Sequence, residues 1–209
     1  MLEPLTLSLQ ERLIGVIGLN GSGKTSFARL INGLTAPSQG HVRLDGLDTV
    51  ADAEALMGRV GYIFQNPANQ IIMPIVAEDM EFGLRNREPD KTARMEKVAA
   101  TLNALEIAHL GARRAHELSG GELQLAALAA MLVTDPDLII FDEPTSQLDI
   151  RNRRLMERAM AALPQQRIVI SHDLALIEDF ERVLLFHDGR LLADATPAIA
   201  IAHYQEIAG

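Results

Sequence analysis

The sequence predicts an α/β fold with an inserted α-helical subdomain. Strand-length apolar runs alternate with helical patterns in both flanks of the chain, and a block at about 71–133 reads as helix alone. The 209 residues, 48% of them apolar, suit one domain with a packed core. That core is expected over 1–70 and 134–209.

Each element follows from its own run of residues. Leu13 to Ile17 is a buried strand ending in a glycine-rich loop, which opens a helix over Lys24 to Leu34. Pro37, Ser38 and Gly40 close that helix. Val42 to Leu44 and Gly61 to Phe64 read as strands, the second followed by a loop at Asn66, Pro67 and Asn69. Helices are expected over Val76 to Leu84, Lys91 to Leu105 and Glu122 to Leu132, with breaks at Gly111 and Gly120-Gly121. Alternation resumes with a strand at Leu138 to Phe141, a helix near Arg153 to Leu163, a strand at Arg167 to Ile170 and a short helix after His172. Val183 to Phe186, the Asp188-Gly189 turn and Arg190 to Ala193 form a hairpin before a C-terminal helix from about Pro197.

Composition narrows the function. A net charge of −9 argues against broad nucleic-acid binding and against direct docking on anionic lipid. No apolar run reaches the length of a membrane span and no secretory signal is visible, so any membrane role is expected to pass through a protein partner. With no cysteine there are no disulfides and no thiolate metal sites.

Gly18-Leu19-Asn20-Gly21-Ser22-Gly23-Lys24-Thr25 fits a phosphate-binding loop between a strand and a helix. Its glycines let backbone N–H groups converge on phosphate oxygens at a positive helix end. Lys24 would reach the β and γ phosphates, and Thr25 would ligate magnesium. The candidate nucleotide contacts are Gly18, Asn20, Gly21, Ser22, Gly23, Lys24, Thr25 and Ser26. Leu138 to Phe141 ends in Asp142 and Glu143. An acidic pair after a strand is in general only a loop start; beside a phosphate loop it becomes a magnesium carboxylate, Asp142, and a base for the attacking water, Glu143.

The remaining motifs carry a family resemblance. Gln65 follows the strand Gly61 to Phe64, Leu118-Ser119-Gly120-Gly121-Glu122 opens a helix, Pro144-Thr145-Ser146-Gln147-Leu148-Asp149 follows the acidic pair, and Ser171-His172-Asp173 follows a strand. In this order they resemble the Q-loop, signature, D-loop and switch histidine of ABC (ATP-binding cassette) ATPases, along nearly the whole chain. Tyr62-Ile63-Phe64-Gln65-Asn66-Pro67, with Val76-Ala77-Glu78-Asp79 and Phe82-Gly83, is similar to the ATPase subunits of energy-coupling-factor vitamin and metal importers. Biotin, cobalt and nickel systems share that stretch. The opening Leu2 to Leu7 and Arg12 to Gly18 favour the biotin type.

The resemblance implies a RecA-like phosphate-loop core with a helical insert, ATP and Mg2+ as cofactors, and catalytic roles for Glu143, His172 and Gln65. It implies magnesium contacts from Thr25, Gln65 and Asp142, and nucleotide contacts in trans from Ser119, Gly120, Gly121 and Asp149. Two cassettes would face head to tail as a homodimer, or as a heterodimer with a related ATPase. They would drive an integral membrane transporter subunit docked in the groove beside Gln65 and the Asn66 to Gly83 segment, from the cytoplasmic face of the cell membrane.

Two departures from the family stand out. Glu122 replaces the usual signature glutamine. Residues 1–17 hold no aromatic to stack on adenine, so the N-terminal β region is expected to be reduced, and either the start is truncated or mis-called or ATP is bound weakly and poorly distinguished from GTP. Rival readings are a cassette ATPase or binding module outside transport, and a non-hydrolysing nucleotide switch. Glu143 and His172 argue against the switch, and the short spacing between Gln65 and Ser119 argues against a DNA-maintenance head.

Overall fold

A computed structural model describes residues 2–146 and 148–209, which form two compact units. The first unit gathers residues up to Tyr62, Asp137–Glu143 and Gln165–Gly209; the second gathers Ile63–Pro136 and Pro144–Pro164.

The first unit is built on a twisted sheet. Its strands are β1 (Leu13–Gly18), β4 (Val60–Ile63), β5 (Leu138–Asp142), β6 (Gln166–Ile170), β7 (Arg182–His187) and β8 (Arg190–Ala195), in the order β4-β5-β6-β1-β7-β8. β1 pairs in parallel with both β6 and β7, with Gly15 facing Val169 on one side and Val183 on the other. A parallel strand covered on both faces needs an unbroken apolar run rather than alternation. Ile14, Val16 and Ile17 in β1, Ile139, Ile140 and Phe141 in β5, and Leu184, Leu185 and Phe186 in β7 are accordingly fully buried. β8 is antiparallel to β7 and alternates in exposure, as an edge strand does. Helix α1 (Lys24–Ile31) follows β1, and β2 (Arg43–Leu44) and β3 (Leu47–Asp48) make a short hairpin before α2 (Ala53–Leu56). The short α7 (Leu174–Ile177) and α8 (Pro197–Ala208) pack with Ile17, Val183 and Leu185 in one apolar cluster. Residues 2–12 carry no assigned strand. Arg182 clamps that segment, donating to the Ser8 carbonyl and the Glu11 carboxylate while pairing twice with Asp194 at 2.6 Å.

The second unit is helical. It holds α3 (Val76–Leu84), α4 (Lys91–Ala104), α5 (Gly120–Leu132) and α6 (Ile150–Ala162). Helix α5 is apolar around its circumference, with Leu125 to Ala129 all buried, because α3, α4 and α6 all contact it. Asp79, buried in α3, accepts from the Ile72 and Met73 N–H groups at 2.7 and 2.8 Å and so folds the preceding loop back onto its helix. Glu81 pairs with Arg94 and ties α3 to α4.

Helix boundaries differ from expectation where a side chain or a glycine decides them. The helix expected to reach Leu34 ends at Ile31, because Gly33 turns at φ 73°. The helix expected from Arg153 begins at Ile150, capped by the Asp149 carboxylate on the Asn152 N–H at 2.8 Å.

Candidate functional site

In the first unit the phosphate loop joins β1 to α1. Gly18 turns at φ 148°, and any Cβ there would overlap the Phe186 carbonyl oxygen, so the loop's entry admits only glycine. The Gly189 N–H donates to the Ser22 carbonyl and anchors the loop from the neighbouring hairpin. Lys24 is buried, and its ammonium donates to the Gly18 and Leu19 carbonyls at 2.7 and 3.0 Å. Burial lowers the Lys24 pKa, while the Glu143 and Asp142 carboxylates pull it up. Ser22 Oγ is buried in the loop with no hydrogen-bond partner. An orphaned hydroxyl beside a buried ammonium is a donor set matched to phosphate oxygens. Leu2 lies against the loop, its Cδ2 2.8 Å from the place a Gly23 Cβ would take.

β5 delivers the acids to the same unit. Asp142 ends the strand with its side chain buried and accepts from the Tyr62 hydroxyl at 2.8 Å. Burial, then the Asp142 carboxylate, hold the Tyr62 phenol well above its ordinary pKa, so it remains a proton donor. Glu143 takes a left-handed φ of 53°, a conformation costly for a residue with a Cβ, and its N–H is held by the Ile170 carbonyl at 3.0 Å. Its carboxylate receives the His172 N–H at 3.4 Å and stands 3.3 Å from His172 Nε2. Burial raises the Glu143 pKa above the ordinary carboxyl range, against the pull of the His172 N–H and Lys24. Burial, then Lys24, lower the His172 pKa, so the imidazole is neutral at pH 7 and the contact is dipolar rather than ionic.

Among the described residues no cluster of three or more His, Asp or Glu could hold a metal alone. Asp142 beside a phosphate loop suits a cation that keeps most of its shell from phosphate oxygens and water, which is how magnesium binds.

The second unit carries the other predicted residues. Gln65 is exposed just after β4. Ser119 caps α5 in a reciprocal box: its backbone N–H donates to Glu122 Oε2 at 2.8 Å and its Oγ accepts from the Glu122 N–H at 3.4 Å. Asp149 caps α6, whereas Gln147 of the same loop lies outside the described residues.

The contacts of three residues were not legible in sequence. The Gln70 carboxamide links the Phe64 N–H to the Ala127 carbonyl and so pins the Gln65 loop to α5. Tyr62 contacts a carboxylate 80 positions away. Asn152, hydrogen-bonded to Asp149 Oδ2 at 3.0 Å, lies directly over Gly121.

A Cβ at Gly121 would overlap the Asn152 carboxamide. Gly121→Ala is therefore expected to cost about 1–3 kcal/mol of stability by overpacking. Asn152→Gly in the same chain should recover part of that loss, and urea unfolding of the single and double variants measures it. A double variant no more stable than Gly121→Ala would refute the packing account.

The family model for the ABC transporter domain matches residues 2–146. The chain is 59% identical to the biotin transport ATP-binding protein BioM of Rhizobium etli, over 99% of this chain and 92% of that protein. It is 36% identical to the cobalt import ATP-binding protein CbiO of Syntrophus aciditrophicus, over 97% of this chain and 74% of that one. The solved structure of cbiO1 from Clostridium perfringens, part of the ABC transporter complex cbiONQ, superposes with a TM-score of 0.83 at 26% identity, covering 99% of this chain and 86% of that one.

Proposed function

Since this chain belongs to the ABC transporter family, whose ATP-binding subunits are ATPases, we propose that it is the ATP-hydrolysing motor of an energy-coupling-factor importer for biotin. The observation that carries the biotin reading is 59% identity to a biotin transport ATP-binding protein along 99% of the chain.

The chemistry follows from the first unit. The phosphate loop and Ser22 bind the triphosphate, and Lys24 neutralises charge on the transferring phosphoryl group. Glu143 accepts a proton from the attacking water as its oxygen bonds to the γ phosphorus and the bond to the β–γ bridging oxygen breaks. Neutral His172, against the Glu143 carboxylate, orients that base. Asp142, with the Thr25 hydroxyl and Gln65, would hold magnesium, which when bound neutralises the β and γ oxygens.

Ser119, Gly120, Gly121 and Asp149 would complete the site on a second protomer, in a homodimer or with a related ATPase. Among the described residues no helix is long and apolar enough to cross a membrane. The motor would be coupled to transport through a membrane subunit. The 66–83 segment, with Ile72 and Phe82 exposed, is the surface offered to it on the cytoplasmic face.

The test is complementation. Expressed with its membrane partners in a biotin auxotroph lacking its own uptake system, the chain should restore growth on limiting biotin, and Lys24→Ala should not. Uptake of cobalt or nickel in place of biotin would overturn the substrate reading while leaving the motor reading intact.

A further inference from the structure

We infer that Tyr62 is a positioning residue for ATP hydrolysis, its hydroxyl fixing the Asp142 carboxylate for magnesium. The inference rests on the reading of Asp142 as the magnesium carboxylate.

Tyr62 lies in β4, next to β5 in the sheet, and is 7% exposed. Packing alone would be met there by phenylalanine or leucine, without a polar atom to satisfy. A buried hydroxyl is tolerated only with a partner, and this one donates to Asp142 Oδ2 at 2.8 Å across 80 residues of sequence. Asp142 is itself 8% exposed, so water supplies little to orient it.

A carboxylate that must meet a cation with strict geometry gains from having one oxygen held. The tyrosine bond occupies Oδ2 and leaves Oδ1 for the cation or its water. Partners that orient a ligating carboxylate in this way typically change metal affinity by roughly 10- to 100-fold when removed. Tyr62 thus joins β4 to the strand tip that carries Asp142.

The test separates the tyrosine from the aspartate. Binding of a fluorescent, non-hydrolysable ATP analogue is titrated in EDTA and then against Mg2+, for the parent, Tyr62→Phe, Tyr62→Met and Asp142→Asn. Thermal unfolding verifies that each variant is folded, and methionine provides a second donor-free side chain if phenylalanine packs badly. The expected result is unchanged analogue affinity in EDTA for both Tyr62 variants, with a Mg2+ midpoint raised roughly tenfold. Asp142→Asn should raise the midpoint at least as much. A Mg2+ midpoint equal to the parent's in the Tyr62 variants, with Asp142→Asn shifted, overturns the inference and leaves the aspartate reading standing. Parental midpoints in all variants overturn both. Analogue affinity lost equally with and without Mg2+ would show that Tyr62 shapes the site without acting through the cation, which also overturns it.

Discussion

Glu143→Gln is expected to abolish ATP turnover while leaving ATP binding intact and trapping a closed dimer. Glu143 is buried, strained at φ 53° and held by the Ile170 carbonyl, so its side chain is set by the backbone rather than by its own charge. The amide keeps the shape and an oxygen for the His172 N–H, but it cannot take a proton. Loss of a positioned base lowers the rate by about 10²- to 10⁴-fold. Stability should not fall, because burial already disfavours the charged carboxyl. Phosphate release, ATP titration and size-exclusion chromatography in magnesium ATP measure the three expectations. Hydrolysis at the parental rate would remove Glu143 from the role of base.

The second large effect is expected of Ser119→Arg. Ser119 is exposed at the mouth of α5, and its substitution breaks a capping box worth about 1 kcal/mol without touching the core. The monomer should therefore fold and bind ATP as the parent does. An arginine side chain at the helix mouth would obstruct the approach of a partner's nucleotide, so dimer closure and turnover should be lost together. Ser119→Ala is the control, since it removes the cap without adding bulk. A Ser119→Arg protein that stays monomeric yet hydrolyses ATP at the parental rate would sink the head-to-tail arrangement and leave Ser119 as a helix cap only.

Much of the fold was legible because its signals are local. Helix α3 spans Val76–Leu84 as its pattern predicts, and the strand to Asp142, the hairpin ahead of Pro197 and the helix from Lys24 all appear. Errors fell at element ends. Helix α5 begins at Gly120 rather than Glu122 because Ser119 and Glu122 cap one another, and α6 begins three residues early because Asp149 caps it. Apolar periodicity starts only where a helix meets the core, whereas a cap sets its beginning a turn sooner. The four-residue helix at Ala53–Leu56 is too short to show a period at all.

The sequence by itself determined which groups could do phosphoryl chemistry. The glycine loop ending in Lys24 and Thr25, the acids after β5 and the motif order are properties of neighbouring residues, so they can be read before the chain folds. Only the tertiary structure decided what those groups meet. It set Glu143 at φ 53° against His172, left Ser22 Oγ buried without a partner inside the loop, and laid Asn152 over Gly121. It also brought Tyr62 onto Asp142 through the pairing order of the sheet. The reason is physical: a motif records local backbone geometry, but burial, protonation and carboxylate orientation are set by atoms from strands far apart in the chain, which come together only when the sheet forms.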